Sequence, residues 1–269
     1  MLLALIGLFS ALFFPMLGRS QGCTMNLKPE PALAPLLGTI AGVKLSFPRT
    51  KYGEAASIRY GNDSQWWGSN PARQYAMPTQ DSPIRDFILT LNRSTWMPVS
   101  SSEDRDSFAR GFHAYNDANL PSNCERWLEF VFSPQLYDEL GGRLQPLYER
   151  QSKLFEPFVG SYVSGKNAFG LKQVAAAREG GGDLRKRALA QGVAEVFDTW
   201  YFDPTTWNTL IGCVHDTGSV TPMKLSCVHN FIVPELKSVV SARYMVMADV
   251  ADWNLIEQQV RERISSYVI

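Results

Sequence analysis

The chain has 269 residues, in which 26 lysine and arginine side chains balance 26 aspartate and glutamate side chains, so its formal net charge is zero. A neutral chain lacks the basic surface that phosphate binding needs, which argues against a nucleic-acid partner. Apolar residues make up 45% and aromatic residues 12% of the sequence. This composition excludes a disordered chain and supplies enough core for one large or two small domains.

The chain begins with an uncharged apolar run, MLLALIGLFSALFFPML, and its first charged side chain is Arg19. This run is typical of a signal peptide or a short anchor, because Pro15 interrupts it before the ~20 residues of a spanning helix. We therefore predict that residues 1–22 are a signal peptide or N-terminal anchor of an exported protein. Cys23 is a candidate for lipidation, although Ser20 and Gln21 depart from the usual acceptor pattern.

Residues 23–37 carry Pro29, Pro31 and Pro35 and predict an extended tether ahead of the fold. Alternating apolar residues bounded by turn signals then predict strands. In the first part of the chain these strands fall at residues 40–47, 56–60, 84–91 and 125–132. Residues 94–120 are polar without a clear period and predict a loop.

Two adjacent tryptophans, Trp66 and Trp67, follow the second predicted strand in a polar loop. Exposed tryptophans anchor many protein interfaces, so both are candidates for binding a partner. The alternative is that one of them covers the edge of the core. Asn62 and Asn92 stand in glycosylation sequons, which matter only in a eukaryotic chain.

Ser133 and Pro134 predict a capped helical turn that Gly141 and Gly142 end. Further strands are predicted at residues 169–174, 194–202, 207–213, 223–233 and 236–246. Residues 249–266 predict an amphipathic helix with Asp249 or Asp252 as its N-cap and an apolar stripe that packs on a sheet: Trp253, Ile256, Val260, Ile264 and Tyr267.

These elements predict an α+β fold of antiparallel sheets with few helices and a C-terminal helix packed on a sheet. We expect an N-terminal half at residues 38–165 and a C-terminal half at residues 166–269. The two halves could be diverged copies of one sheet-and-helix unit.

The cysteines give the sharpest local pattern, because Cys213-Val-His215 and Cys227-Val-His229 lie on two runs of one predicted hairpin. Cross-strand neighbours come within disulfide range, and export favours oxidation, so we predict a Cys213–Cys227 disulfide. Cys124 would then be free or bonded elsewhere. The alternatives are free thiols or a zinc site formed by the two cysteines, His215 and His229, which have the right ligand types and number.

No complete catalytic motif appears in the sequence. Residues 160–167 nearly match a phosphate-binding loop, but Asn167 replaces the hydroxyl that holds magnesium, and we interpret them as a glycine-rich connection. His113 is the one histidine outside the hairpin and could in principle act as a general base. The simpler interpretation is that its side chain is packed or solvated. Glu103, Asp104 and Asp183 are interpreted as solvated loop charges. We therefore expect no enzymatic activity, no cofactor and no metal.

Five stretches of the sequence resemble exported immunity proteins that accompany type VI secretion effectors, of the kind that neutralises phospholipases. They are residues 37–48, 81–87, 169–172, 227–231 and 253–257. The resemblance implies a non-enzymatic periplasmic protein, soluble or attached to the membrane through its N-terminus. Its partner would be a cognate secreted toxin, with a lipase implied as the target. The alternatives are an envelope structural or assembly lipoprotein and an exported hydrolase without a recognised motif.

Overall fold

In the computed structural model of the protein, the structure describes residues 32–50, 55–61, 78–116, 126–177, 190–191, 196–216, 224–244 and 247–269. Its strands are β1 (Ala32–Ile40), β2 (Val43–Thr50), β3 (Ala56–Tyr60), β4 (Ile84–Asn92), β5 (Trp127–Ser133), β6 (Tyr162–Ser164), β7 (Lys172–Ala176), β8 (Thr199–Phe202), β9 (Thr209–Asp216), β10 (Lys224–Val233) and β11 (Ser238–Tyr244). Its helices are α1 (Ser102–Asn116), α2 (Pro134–Glu139), α3 (Gln145–Val159), α4 (Met247–Ala251) and α5 (Trp253–Ser265). The fold is α+β, as predicted.

One antiparallel sheet contains β3 to β11 in the order β3-β4-β5-β11-β10-β9-β8-β7-β6, and β1 and β2 form a separate hairpin. The sheet is continuous across the boundary that we expected at residue 165. Strand β5, from the first half, pairs with β11, from the second, and β6 pairs with β7. The two halves of the sequence therefore share one sheet.

Strand alternation places two apolar clusters on opposite faces of this sheet. Phe231 and Val240 face the cluster beneath α5 and the β1–β2 hairpin, whereas their neighbours Ile232 and Val239 face the cluster beneath α3. The predicted stripe of α5 is confirmed, because Ile256, Val260, Ile264 and Tyr267 are buried and Trp253 packs against the same cluster. The period-two pattern of the strands thus buries β10 and β11 on both faces.

Residues 32–37 of the predicted tether are part of a strand, because β1 begins at Ala32. Pro35 does not prevent this strand, since it lies where the register between β1 and β2 shifts, between Leu33 and Leu36. A proline is tolerated at such a bulge because its missing N–H group is not needed for the ladder. From Leu36 onward β1 is a regular strand against β2.

The prediction of a loop at residues 94–120 is wrong, because α1 occupies Ser102–Asn116. A side-chain cap begins this helix: Ser101 Oγ accepts a hydrogen bond from the Asp104 N–H (3.0 Å), and Asp104 Oδ2 accepts one from the Ser101 N–H (3.1 Å). This Ser-x-x-Asp box is a sequence signal that the interpretation of Asp104 as a solvated charge missed. Asp104 is buried.

Gly212 of β9 lies under the aromatic side chains of the α3 cluster. A Cβ atom at this position would stand 2.7 Å from both Phe197 Cδ2 and Trp200 Cζ3. Trp200 is fully buried, so its ring has little room to move. We expect Gly212→Ala to lower the free energy of unfolding by about 1–3 kcal/mol, the usual cost of overpacking a core, as measured by urea denaturation.

Gly165→Ala is the matched control, because its Cβ would meet Gln173 Oε1 at 3.4 Å, an ordinary contact with a flexible side chain. We expect this substitution to change the unfolding free energy by no more than about 0.5 kcal/mol. Equal denaturation midpoints for the two variants would contradict the packing argument.

Candidate partner-binding surfaces

Cys213 and Cys227 are bonded to each other, as predicted, and both are buried between β9 and β10. They are directly opposite residues in the register of the hairpin. A bond closing a loop of this length stabilises the fold by roughly 3 kcal/mol in the chain-entropy model. Because both sulfur atoms are in the disulfide, they do not supply the thiolate ligands of the alternative zinc site. Among the described residues, no group of three or more His, Cys, Asp and Glu could hold a metal ion.

The His229 side chain forms polar contacts within the fold rather than binding a metal. Its Nε2 atom lies 3.0 Å from Glu257 Oε1, which also accepts a hydrogen bond of 2.7 Å from Thr209 Oγ1. His229 is fully buried and Glu257 nearly so. The three polar groups join α5 to β9 and β10 beneath the helix. The side chain of His215 lies outside the described residues.

Residues 160–167, which nearly match a phosphate-binding loop in sequence, do not have the secondary structure of such a loop. Such a loop joins a strand to a helix, but here α3 ends at Val159 and the short strand β6 occupies Tyr162–Ser164 inside the motif. Residues 160–165 connect α3 to the sheet edge, in agreement with their interpretation as a connection. His113 lies in α1, and its side chain is outside the described residues.

One face of the sheet displays exposed and half-buried side chains on neighbouring strands, which we call the open sheet surface. The register aligns Ser57, Ile88, Val131 and Ser241 in one row across β3, β4, β5 and β11, and pairs Thr90 with Glu129 in the next. Glu129 and Val131 are exposed, the latter at 36%, and the other four are half-buried. The opposite face of the same strands is buried beneath α5 and the β1–β2 hairpin.

The open sheet surface combines aliphatic, hydroxyl and charged groups. Ser241 Oγ donates a 2.6 Å hydrogen bond to Asn230 Oδ1, and Arg59 forms a bidentate pair with Asp86 at 2.5 and 2.6 Å. Partial burial of the Glu129 carboxyl group raises its pKa above the ordinary value for glutamate. Such a mixture is what the surfaces of non-obligate protein interfaces contain.

A second surface lies on the other side of the sheet, at the turn that precedes β7. Phe169 is 41% exposed at the tip of this turn, and its ring centroid lies 5.9 Å from that of Tyr201. Its carbonyl oxygen accepts a 2.8 Å hydrogen bond from Trp253 Nε1. We call Phe169, Tyr201 and Trp253 the aromatic corner. Sequence analysis placed Phe169 at the start of a strand and did not identify this exposed ring.

Among solved structures, the chain is similar to an immunity protein of the type IV secretion system of Stenotrophomonas maltophilia. The sequence identity is 15% and the TM-score is 0.45, over 88% of this chain and 94% of that chain. A likeness of this size does not identify a shared function. No protein-family model and no curated protein sequence matches the chain.

The five stretches that resemble immunity proteins are widely separated in sequence but contribute to one apolar cluster. Phe47, Phe87, Leu171, Phe231 and Ile256, one from each stretch, are all buried in the cluster beneath α5. The resemblance therefore concerns one contiguous part of the fold.

The predictions for Cys23, Trp66, Trp67 and Cys124 fall on residues outside the described ranges. The same holds for residues 1–22, the predicted signal peptide or anchor, and for Asp183. No helix in the described ranges has the length and apolar character that crossing a membrane requires.

Proposed function

We propose that this chain is a periplasmic immunity protein that binds a secreted antibacterial effector and neutralises it without catalysing a reaction. The effector is a lipase delivered by a type VI secretion system in this proposal. The observation that carries it is the convergence of the five resembling stretches on a single buried cluster. This cluster contains the larger part of the described apolar core, and the contribution of all five stretches to it supports a common scaffold.

The architecture suits a rigid inhibitor. A disulfide joins two central strands of the sheet, and residues 229–233 of β10 are buried on both faces. A preorganised surface loses little conformational entropy on binding, which favours high affinity. The apolar N-terminal run supports export to the periplasm, soluble or attached to the membrane through Cys23, where the effector would act.

The test is protection of bacteria from the effector encoded beside the gene for this chain. Cells exporting that effector to their periplasm are expected to survive when they also export this chain. The two purified proteins should bind with a dissociation constant in the nanomolar range, about −12 kcal/mol. Lipase activity of the effector should fall in proportion to the complex formed.

A catalytically inactive effector and an unrelated periplasmic toxin are the controls. The inactive effector should bind equally well, because neutralisation requires contact and no turnover. The unrelated toxin should kill cells whether or not the chain is present. If cells remain sensitive to the neighbouring effector and the purified proteins do not associate, the proposed function is wrong.

A further inference from the structure

Phe169 and Gly170 form a two-residue turn in which both residues have left-handed backbone angles. Their φ values are 55° and 79°, and Ala168 and Leu171 exchange two backbone hydrogen bonds of 2.9 Å across the turn. This turn favours Asn-Gly, because a residue with a bulky Cβ substituent strains the backbone at positive φ. A phenylalanine is therefore an unfavourable choice for the turn itself.

Packing accounts for only part of this choice, through the contact of the Phe169 ring with Tyr201. Trp207 has a similar φ of 56°, but its ring stacks on Phe202 at 4.4 Å and packs against the apolar cluster beneath α3. Phe169 instead leaves 41% of its surface exposed. A strained residue that also exposes a large apolar ring suggests a role that the folded chain alone does not require.

The ring is held on a rigid base. The hydrogen bond from Trp253 Nε1 fixes the Phe169 carbonyl group, while the adjacent Leu171 and Tyr201 are buried in the cluster beneath α5. An aromatic side chain has two rotatable bonds, so it contributes contact area at small entropic cost when its backbone is already fixed. These are the properties of an interface anchor.

We propose that Phe169 anchors the toxin by inserting its ring into an apolar pocket of that protein, so that the aromatic corner lies at the centre of the interface. This inference rests on the proposed function and adds the side of the molecule that the toxin contacts. It places the toxin against the aromatic corner and leaves the open sheet surface on the opposite face uncovered.

Three variants and the wild-type chain test the anchor by titration with the purified, catalytically inactive effector. Phe169→Asn suits the turn but removes the ring, and we expect its dissociation constant to rise about 30-fold or more. Phe169→Tyr keeps the ring and should bind within about threefold of wild type. Ala41→Asn is the matched control, because Ala41 and Gly42 form the corresponding two-residue turn between β1 and β2, with φ values of 49° and 84°.

Thermal unfolding separates an anchor from a packing residue. For Phe169→Asn, relief of the backbone strain offsets the lost ring contact, so we expect an unfolding midpoint within roughly 2 °C of wild type. Ala41→Asn should bind like wild type and unfold at the same or a higher temperature. A fall of more than about 4 °C for Phe169→Asn with unchanged affinity would show that the ring only packs the fold.

Val131→Arg tests whether the toxin instead binds the open sheet surface. We expect this variant to bind like wild type, and Phe169→Asn to bind weakly. The reverse result would place the toxin on the open sheet surface and overturn the inference while leaving the proposed function intact. If the wild-type chain does not bind the effector, the proposed function and the anchor fail together.

Discussion

Replacement of Asp249 by alanine is expected to lower the free energy of unfolding by about 3–5 kcal/mol, the usual cost of breaking a buried ion pair. Asp249 is fully buried, and its carboxylate accepts a hydrogen bond of 2.9 Å from Arg93 Nε and another from an Arg126 guanidinium nitrogen. Arg93 and Arg126 are themselves only 13% and 11% exposed. Without Asp249, the nearly buried Arg126 would lose this carboxylate, and Arg93 would keep only its contact with the half-exposed Asp252.

Asp252→Ala is the control for this experiment. Asp252 also accepts a hydrogen bond from Arg93, at 2.6 Å, but its side chain is 50% exposed. An exposed ion pair contributes about 1 kcal/mol or less because water screens it. Guanidinium denaturation of both variants measures the difference. If the two variants lost similar amounts of unfolding free energy, the burial of Asp249 would not determine how strongly its ion pairs stabilise the fold.

Local patterns in the sequence predict most of the sheet. Strand β3 matches the predicted residues 56–60, and β4 covers the predicted residues 84–91, with the alternating Phe87, Leu89 and Leu91 all buried. The hairpin of β9 and β10 was also predicted, because two apolar runs flank a polar loop. In each case alternation over a few residues determines which side chains enter the core.

Two helices, α1 and α3, were not predicted. Helix α1 is mostly polar, and the Ser101–Asp104 box at its start was the available signal. Helix α3 was also missed, although Pro146 stands in its first turn, where a proline fits, and Phe155, Phe158 and Val159 recur at helical spacing on its buried face. Their positions depend on aromatic contacts with the sheet, such as that of Phe108 with Trp127 at 6.0 Å.

The charged contacts of α4 and α5 could not be predicted from the sequence and became visible only in the structure. We predicted Asp249 or Asp252 as a helix N-cap, but Asp252 stands at the N-cap of α5 without a side-chain cap hydrogen bond. Asp249 instead contacts Arg93 and Arg126, which are 156 and 123 residues away in sequence. No local pattern specifies such pairs. The same reason explains why the contacts of Trp253 with Phe169 and of Glu257 with His229 were not predicted.

The last described residues before Trp66 and Trp67 are held firmly in the fold. The Gly61 N–H donates a 2.9 Å hydrogen bond to the Pro83 carbonyl, and Tyr60 Oη donates one of 2.7 Å to the Leu37 carbonyl. Tyr60 also packs against the apolar cluster beneath α5. The strand before the loop is thus joined to the β1–β2 hairpin, on the face of the sheet that also bears the aromatic corner.

We expect the double substitution Trp66→Ala, Trp67→Ala to abolish protection of cells that carry the cognate effector. Two adjacent indole rings offer a large contact area, and their alternate directions along the backbone make it difficult to bury both in one core. Loss of an interface anchor costs about 2 kcal/mol or more, so removal of two would reduce a nanomolar affinity at least about a thousandfold.

Survival assays and thermal unfolding of the double variant together decide between an interface and a core role for the tryptophans. If both contact the toxin, protection disappears while the unfolding midpoint stays within about 2 °C of wild type. If one covers the core, the midpoint falls by several degrees because a buried tryptophan stabilises a fold by about 3–5 kcal/mol relative to alanine. Phe169→Asn, assayed in parallel, is expected to weaken protection at an unchanged midpoint. Full protection by a stable double variant would exclude this loop from the interface and leave the aromatic corner as the anchor.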